Sequence, residues 1–280
     1  MKPITTMEYS RRFGGIARLY GNDALPRTRA AHVVVVGIGG VGSWAVEALA
    51  RSGLGQLTLI DLDHINESNI NRQIHALDSS LGASKVLAMR QRITEINPEC
   101  VVNMIEEFIV EENVSSLLPS CDFVIDAIDN VRAKAALIAH CKQSGINIIT
   151  TGGAGGRLDP TQIVIADLSR TVEDALASKV RAKLRKDYGF PRDAKKKFGV
   201  DCVYSPEKVP NSPVGVDAKS RLSTAEPLHG REAVLRETPV PPPSFDASAG
   251  LACAGYGSSV AVTATFGFAA ASRVLQGLLQ

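Results

Sequence analysis

The sequence predicts an α/β fold, a Rossmann-like, doubly wound and mainly parallel sheet with an antiparallel extension and a buried C-terminal helix. Short β-branched runs bounded by glycine alternate with segments whose apolar residues recur at helical spacing. The first of these runs leads directly into a glycine-rich loop, as is typical of such sheets. The 280 residues are 45% hydrophobic, which is enough to build an extended buried core.

The chain begins with a segment predicted to form an arm and helix over 10–30, followed by a βαβ unit. The run HVVVV at 32–36 is typical of a buried parallel strand. Helical spacing of apolar residues predicts a helix over 41–51, which ends at the glycines of 52–55. A second strand is predicted over 57–60, which completes the unit.

The same alternation continues through the first half of the chain. It predicts a helix over 84–96, strands over 101–105 and 123–126, a helix over 131–144 and a strand over 147–150. Strands that alternate with helices indicate a parallel sheet with helices on both faces.

After Gly156 the alternation ends. A strand is predicted over 162–167, followed by a basic helical stretch and then an irregular, proline-rich crossover that leads to the final apolar helix. We therefore divide the chain into an N-terminal arm and helix (1–30), a nucleotide-binding core (31–156) and a substrate-side extension (157–280).

The cysteines and the N-terminus indicate a cytoplasmic protein. The cysteine count is odd and contains no CxxC pair, so neither a disulfide framework nor a zinc site is expected. The N-terminus lacks the apolar run of a signal peptide. The cysteines are Cys100, Cys121, Cys141, Cys202 and Cys253.

One stretch near the C-terminus, Ala247 to Ser272, has no charged residue and is long enough to cross a bilayer. Its residues are mainly Gly, Ala, Ser and Thr, whereas membrane insertion is driven by large aliphatic side chains. We therefore predict a helix packed inside the protein, and membrane association is not favoured.

The sequence GIGGVG at 37–42 follows the first strand and forms a GxGxxG loop. Glycines allow a tight turn there, and backbone N–H groups at the following helix N-terminus can bind a phosphate. Asp61, at the end of the second strand, is placed to accept a hydrogen bond from a ribose. These features indicate a nucleotide site but do not choose among NAD, FAD and ATP, and a glycine turn without a ligand also remains possible.

Three further features separate these possibilities. The sequence DLD at 61–63 is followed by SNINRQ at 68–73, and a NAD-dependent oxidoreductase has no evident use for an Asn and an Arg at those positions. GASK at 82–85 opens a helix and places an ammonium near the phosphates. DAIDN at 126–130 lies at the C-terminal end of a strand, the edge where open α/β sheets bind ligands.

In this order and spacing, GxGGxG, DxD, SNxxRQ, GxxK and DN resemble the ubiquitin-activating-enzyme-like superfamily, which includes the adenylyltransferases of molybdopterin and thiamine synthesis. The resemblance covers Arg12 to Gly156 and the last helix. It implies ATP and Mg²⁺ as cofactors, with Arg72, Lys85 and Asp129 as catalytic residues and Asp129 as the metal ligand. The nucleotide-binding residues it implies are Gly37, Gly39, Gly40, Gly42, Asp61, Asp63, Asn69, Arg72, Lys85, Asp129 and Asn130.

The chemistry implied by the resemblance is the adenylylation of a carboxylate. A carboxylate is a poor electrophile, so it attacks the α-phosphorus of ATP and forms an acyl adenylate while Mg²⁺ and cationic side chains stabilise charge on the phosphates. Pyrophosphate leaves, and a second nucleophile then displaces AMP.

Four segments resemble one branch of this superfamily, the tRNA threonylcarbamoyladenosine dehydratases. They are RFGGIARLYG at 12–21, TGGAGGRLDPTQI at 151–163, GVDCVYSPE at 199–207 and TATFGF at 263–268. The branch implies an ATP-dependent, homodimeric enzyme that cyclises N6-threonylcarbamoyladenosine in tRNA, with its threonyl carboxylate as the activated group. Ring closure expels AMP, so the net change is a dehydration.

A second hypothesis is that the chain activates the C-terminus of a ubiquitin-like sulfur carrier, with a sulfur-transfer protein as partner. The chain lacks the two CxxC pairs of those activators, and it has Arg12-Phe13-Gly14-Gly15 where they carry an RxxRQ-like arm. Arg11, Arg12 or Arg18 could supply an arginine to a second subunit. Cys253 keeps the hypothesis open, because thioester-forming relatives carry their transfer cysteine shortly before the final helix; Cys202 is a weaker candidate nucleophile.

Positive charge is concentrated between Lys179 and Lys197, although the whole chain carries a formal net charge of only +2. This basic segment has nine cationic side chains against Asp187 and Asp193, and Tyr188 and Phe190 add aromatic surface. Phosphate contacts around a splayed base require these residue types, so we predict tRNA binding here. The predicted tRNA-binding residues are Arg181, Lys183, Arg185, Lys186, Lys195, Lys196 and Lys197.

Overall fold

The computed structural model describes residues 6–209 and 257–280. The chain begins with two helices, α1 (Thr6–Tyr20) and α2 (Ala24–Ala30), where the sequence predicted one arm and helix. They separate at Gly21, whose φ of 102° is a conformation that other residues rarely adopt.

The sheet has seven strands, ordered β3-β2-β1-β4-β5-β7-β6. The strands are β1 (His32–Val36), β2 (Gln56–Ile60), β3 (Val101–Ile105), β4 (Phe123–Asp126), β5 (Asn147–Thr151), β6 (Val164–Asp167) and β7 (Asp201–Tyr204). All neighbouring strands run parallel except β6 and β7. The predicted parallel sheet with an antiparallel extension is therefore confirmed.

Helices cover both faces of the sheet, which makes the fold doubly wound. The remaining helices are α3 (Gly42–Arg51), α4 (Lys85–Ile96), α5 (Val114–Leu117), α6 (Val131–Ser144), α7 (Ala175–Asp187) and α8 (Val260–Leu279). One apolar core is formed by residues of α3, α4 and α8, and the other by residues of α6 and α7 on the opposite face.

The final helix α8 packs directly on α3. A Cβ atom added to Gly267 would lie 2.5 Å from the carbonyl oxygen of Val41 and 2.9 Å from the amide nitrogen of Ala45. Only glycine allows the two helices to approach so closely. In the described part of the chain, α8 is the one helix long and apolar enough to cross a membrane, but half of its most apolar window is buried inside the protein. The predicted buried C-terminal helix is confirmed.

Strand β7 was not predicted from the sequence. It pairs with β5 in parallel and with β6 antiparallel, so it lies between two strands that precede it in the chain. The break between α1 and α2 and the short helix α5 were also missed. In the described residues the final helix begins at Val260 and ends at Leu279, whereas the predicted apolar stretch ended at Ser272. The strands and helices predicted between residues 31 and 167 agree within two residues. Most of the proline-rich crossover lies outside the described residues.

Candidate active site

A cleft of about 1100 Å³ opens at the C-terminal ends of the parallel strands. Its lining includes residues that follow β1, β2, β4 and β5. The strand order reverses at β1, which is the topological position where open α/β sheets bind ligands. The predicted nucleotide-binding residues that line the cleft are Gly37, Gly39, Gly40, Asp61, Asp63, Asn69, Arg72, Lys85, Asp129 and Asn130.

The glycine loop is tight because two of its glycines allow close backbone contacts. Gly37 has a φ of 86°, and a Cβ atom added there would lie 2.8 Å from the carbonyl oxygen of Ala127. A Cβ atom on Gly42 would lie 1.8 Å from the carbonyl oxygen of Gly37. Gly42 is not among the lining residues, so its direct contribution is to close the loop onto β1, while Gly39 and Gly40 face the cleft.

Asp61 is held at the end of β2 by two backbone groups. Its carboxylate oxygens accept hydrogen bonds from the amide of Ile38 at 2.6 Å and the amide of Asp63 at 2.8 Å. Burial raises the pKa of Asp61, and the charge of Lys85 opposes that shift. Each carboxylate oxygen can accept more than one hydrogen bond, so Asp61 can also accept from ribose hydroxyls.

Lys85 begins α4 and is almost completely buried at the wall of the cleft. Its Nζ atom lies 2.6 Å from Oδ2 of Asp63, whose side chain is 53% exposed. The two segments are also joined by the amide of Ile65, which donates to the carbonyl oxygen of Ala83 at 2.9 Å. The fold therefore places an ammonium at the wall of the cleft that the glycine loop also lines, and a carboxylate holds it there.

Asn69 and Arg72 are held by the turn that contains them. Oδ1 of Asn69 accepts a hydrogen bond from the amide of Asn66 at 3.0 Å and caps a short 3-10 helix. Nη1 of Arg72 donates to the carbonyl oxygen of Ser68 at 2.6 Å. A Cβ atom on Gly40 would lie 3.2 Å from Cγ of Arg72, so this side chain lies against the glycine loop.

Asp129 lies in the connection between β4 and α6, and its side chain is exposed in the cleft. The neighbouring Asn130 caps α6, because its Oδ1 accepts from the amides of Arg132 at 2.9 Å and Ala133 at 3.2 Å. In residues 6–209 and 257–280, no three His, Cys, Asp or Glu side chains form a group that could hold a metal. A single carboxylate combined with phosphate oxygens is nevertheless a usual way for proteins to bind Mg²⁺.

Several residues of the cleft were not predicted to have a role. Gln73 belongs to the SNINRQ motif, and Gly152 and Gly153 belong to the glycine-rich segment after β5. Oε1 of Gln73 is buried and has no hydrogen-bond partner among the residues that the structure describes. Nearby, burial and the charges of Lys85 and Arg92 lower the pKa of His75 to about 4, so this ring stays neutral at pH 7.

Of the two cysteines considered as nucleophiles, the structure describes Cys202 but not Cys253. Cys202 lies in β7 and is fully buried, and burial raises the pKa of its thiol. A nucleophilic cysteine needs accessible thiolate, so Cys202 is unsuited to that role. Burial also raises the pKa of Cys100 to about 12 and of Cys121 to about 11. Cys253 lies outside the described residues.

The basic segment comprises α7 and the loop that follows it, and some of its predicted tRNA-binding cations make internal contacts. Arg181 donates to the hydroxyl of Thr171. The guanidinium of Arg185 donates to the carbonyl oxygen of Pro191 at 3.1 Å and lies 5.2 Å from the ring centroid of Phe198. Lys183 pairs with Asp187 at 2.7 Å and lines the cleft. The cations left exposed are Lys179, Lys186, Arg192, Lys195, Lys196 and Lys197.

The aromatic residues of the basic segment turn inward. Tyr188 and Phe190 are partly buried and pack against the apolar core on the α6 and α7 face. The rings of Phe190 and Phe198 meet edge to face with centroids 5.0 Å apart. The predicted aromatic surface for stacking bases is therefore wrong, because the local core uses both rings.

The sheet, the glycine loop and the polar side chains around the cleft define a nucleotide-binding protein of the doubly wound α/β class. The cationic and exposed carboxylate side chains around the cleft suit chemistry at phosphate rather than hydride transfer.

Comparison with known proteins places the chain within this class. The chain belongs to the ThiF family, whose model matches residues 9–280. A tRNA threonylcarbamoyladenosine dehydratase of Haemophilus influenzae is 50% identical over 97% of this chain and 95% of its own length. The Escherichia coli tRNA N6-threonylcarbamoyladenosine dehydratase in complex with ATP has a TM-score of 0.80 at 43% identity, covering 99% of this chain and 97% of that one.

The sulfur-carrier activators are more distant relatives. The molybdopterin-synthase adenylyltransferase of Haemophilus influenzae is 30% identical over 57% of this chain. Within the ThiF family, the chain therefore groups with the tRNA threonylcarbamoyladenosine dehydratases. The resemblance found in the sequence is confirmed.

Proposed function

We propose that the chain is an ATP-dependent enzyme that dehydrates N6-threonylcarbamoyladenosine in tRNA through an acyl adenylate. The observation that carries this proposal is the full-length similarity to dehydratases, one of them in complex with ATP. The cleft is consistent with it, because ten of the eleven residues expected to bind ATP line the same cleft.

The proposed reaction has two steps. An oxygen of the threonyl carboxylate attacks the α-phosphorus of ATP, and the bond to pyrophosphate breaks. A nucleophilic atom of the same modified nucleoside then attacks the activated carbonyl carbon, and AMP leaves with the former carboxylate oxygen. The ring product is one water lighter, and ATP is converted to AMP and pyrophosphate.

The glycine loop and four polar side chains of the cleft each have a part in this scheme. Asp61 binds the ribose, and the glycine loop approaches the phosphates with its backbone amides. Arg72 and Lys85 stabilise the negative charge that develops on the phosphates. Asp129 would hold Mg²⁺, which supplies further charge neutralisation when bound.

The experiment that tests the proposal measures AMP release from purified protein and ATP. Three additions are compared: tRNA that carries threonylcarbamoyladenosine, the same tRNA transcribed without the modification, and a ubiquitin-like sulfur carrier. We expect only the modified tRNA to stimulate release, because only it presents the threonyl carboxylate. Stimulation by the carrier alone would instead support the sulfur-carrier hypothesis.

We propose that the exposed cations of the basic segment bind the tRNA backbone. Leu176 and Lys183 of α7 line the cleft, so RNA held on this helix would lie beside the nucleotide. The loop carries Lys195, Lys196 and Lys197, all exposed, and contributes charge without a role in the core. Arg181 and Arg185 serve mainly to hold the segment in place.

Replacing Lys195, Lys196 and Lys197 together by alanine is expected to weaken tRNA binding. Each side chain that no longer binds a phosphate should reduce the slope of log affinity against log salt by roughly 0.7 to 0.9, so the slope should fall by up to about 2 to 3. Replacing the same residues by arginine keeps the charge and should preserve the slope. An unchanged slope in the alanine variant would place the tRNA site elsewhere.

Cys253→Ser is expected to retain most dehydratase activity, since ring closure directly from the adenylate needs no thioester. The measurement is the rate of cyclic nucleoside formation, with circular dichroism as the check on folding. A folded Cys253→Ser variant that still releases pyrophosphate but forms no cyclic product would instead indicate a catalytic thiol.

We further propose that the enzyme acts as a cytoplasmic homodimer. Large apolar side chains are exposed between β2 and α4, at Leu62, Ile70, Leu77 and Leu81, and in the first turn of α4, at Leu87. Such surface is typical of a protein interface. The division into arm (1–30), nucleotide-binding core (31–156) and substrate-side extension (157–280) also remains a proposal, as does the absence of a sulfur-transfer step.

A further inference from the structure

A charged network lies buried beneath the cleft and has no part in the scheme above. The Nζ atom of Lys134 lies 2.9 Å from Oδ2 of Asp126 and 3.0 Å from the hydroxyl of Thr150. The Thr150 hydroxyl donates to the same Asp126 oxygen at 2.6 Å. All three residues are at most 1% exposed, so solvent does not reach the network.

The network holds the backbone that leads to Asp129. The other carboxylate oxygen of Asp126 accepts from the amide of Ile128 at 3.1 Å. Lys134 also donates to the carbonyl oxygen of Asp126 at 3.3 Å. On the far side of Asp129, the Asn130 cap fixes the start of α6. The backbone is therefore held on both sides of Asp129, by the contacts of Asp126 before it and by the Asn130 cap after it.

The chemistry of the network favours a role in positioning rather than in stability alone. The free energy of desolvating two charges offsets much of the Coulombic attraction between them. A buried ion pair therefore stabilises a fold less effectively than apolar side chains packed in the same space. A complete hydrogen-bonded set does, however, hold one geometry closely. The network supports the loop that carries the exposed carboxylate of Asp129. In the proposed function this carboxylate must be positioned accurately relative to the phosphates and a metal ion.

We propose that Lys134 is a positioning residue, which acts through Asp126 and Thr150 to fix the loop that carries Asp129. This inference rests on the proposed function, since it concerns the metal-dependent adenylylation step. Lys134 is 1% exposed and does not line the cleft, so a bound nucleotide would not reach it. Its effect should therefore appear in the Mg²⁺ dependence and the rate of adenylylation rather than in the binding of AMP.

The test compares the variants Lys134→Met, Lys134→Arg and Thr150→Val with the wild type. Ile138→Ala serves as a matched control, because Ile138 lies one turn further along α6, is fully buried and has no part in the network. The measurements are ATP–pyrophosphate exchange with modified tRNA over a range of Mg²⁺ concentrations, the dissociation constant of AMP, and the melting temperature.

In Lys134→Met, we expect the maximal exchange rate to fall by about tenfold to a hundredfold, since a displacement of the loop by roughly 1 Å is costly. The Mg²⁺ concentration for half-maximal rate should rise, while AMP binding stays within about threefold of the wild type. Thr150→Val should show the same changes to a smaller extent, and Lys134→Arg should recover part of the activity. Ile138→Ala should lower the melting temperature without changing the Mg²⁺ dependence.

A folded Lys134→Met variant with wild-type Mg²⁺ dependence and rate would overturn the inference. If that variant does not fold, Thr150→Val decides, because it replaces only a hydroxyl by a methyl group; wild-type behaviour there overturns the inference equally. Absence of exchange in the wild type itself would count against the proposed function. The two failures are therefore distinguished in one experiment.

Discussion

Asp129→Ala is expected to lower the rate of ATP–pyrophosphate exchange by about a hundredfold or more, which corresponds to at least about 3 kcal/mol of transition-state stabilisation. Asp129 is exposed in the cleft beside the glycine loop and is the proposed Mg²⁺ ligand. Charge on the phosphates increases as pyrophosphate leaves, so the metal matters most in the transition state. ATP binding should weaken much less than the rate.

The matched control for Asp129→Ala is Glu112→Ala, which removes a different exposed carboxylate from the lining of the same cleft. We expect this control to keep most of the exchange activity. A reduction as large as that of Asp129→Ala would mean that the general negative charge of the cleft matters rather than a metal ligand. Wild-type exchange in Asp129→Ala would refute the assignment of Asp129.

Lys85→Met is expected to lower exchange by a similar factor, about a hundredfold. Methionine keeps an unbranched apolar side chain of comparable length but removes the ammonium that the fold holds at the phosphate end. The binding of AMP should change little, because AMP lacks the β and γ phosphates. The effect should therefore appear in the rate of exchange at saturating ATP.

Asp63→Asn separates the charge of Lys85 from its ion pair. This variant removes the carboxylate that lies 2.6 Å from Nζ and leaves the ammonium in place. The side chain of Lys85 is only 7% exposed, but the amide oxygen of the new asparagine can still accept a hydrogen bond from its ammonium, so this buried charge keeps a partner. We expect Asp63→Asn to retain most of the activity. Equal reductions in both variants would show that the pair acts as a unit and would contradict a direct role for Lys85 alone.

The sequence predicted the parts of the fold that depend on local pattern. Helical spacing and β-branched runs identified the alternation of strands and helices, because these periods report which face is buried. Strand β7 was missed because its four residues, 201–204, form a strand by pairing with β5 and β6. That pairing is a tertiary effect, and no local pattern in the segment expresses it.

The site was predictable where a motif carries the chemistry. Ten motif residues proposed as nucleotide ligands line one cleft, since the fold brings the ends of several strands together. Lys134 had no such pattern. In the sequence, Lys134 has the pattern of an ordinary surface lysine on a helix. Its buried partners, Asp126 and Thr150, are identified only from the distances in the structure.

In the basic segment, the sequence predicted the number of charged side chains but not which of them are exposed. Composition alone does not distinguish an exposed cation from one that holds the fold together. Arg181 and Arg185 donate to Thr171 and to the carbonyl oxygen of Pro191, whereas the lysines of the following loop are exposed. The same limit applies to aromatic residues, since Phe190 packs inward against Phe198.

The most direct test of the proposed function is mass spectrometry of tRNA nucleosides after reaction. Purified protein is incubated with ATP, Mg²⁺ and tRNA that carries threonylcarbamoyladenosine, and the tRNA is then digested to nucleosides under mild conditions. We expect the modified adenosine to be replaced by a nucleoside one water lighter, with one AMP formed for each ring closed, and no change when ATP is omitted. Unaltered threonylcarbamoyladenosine despite release of AMP would contradict the assigned function.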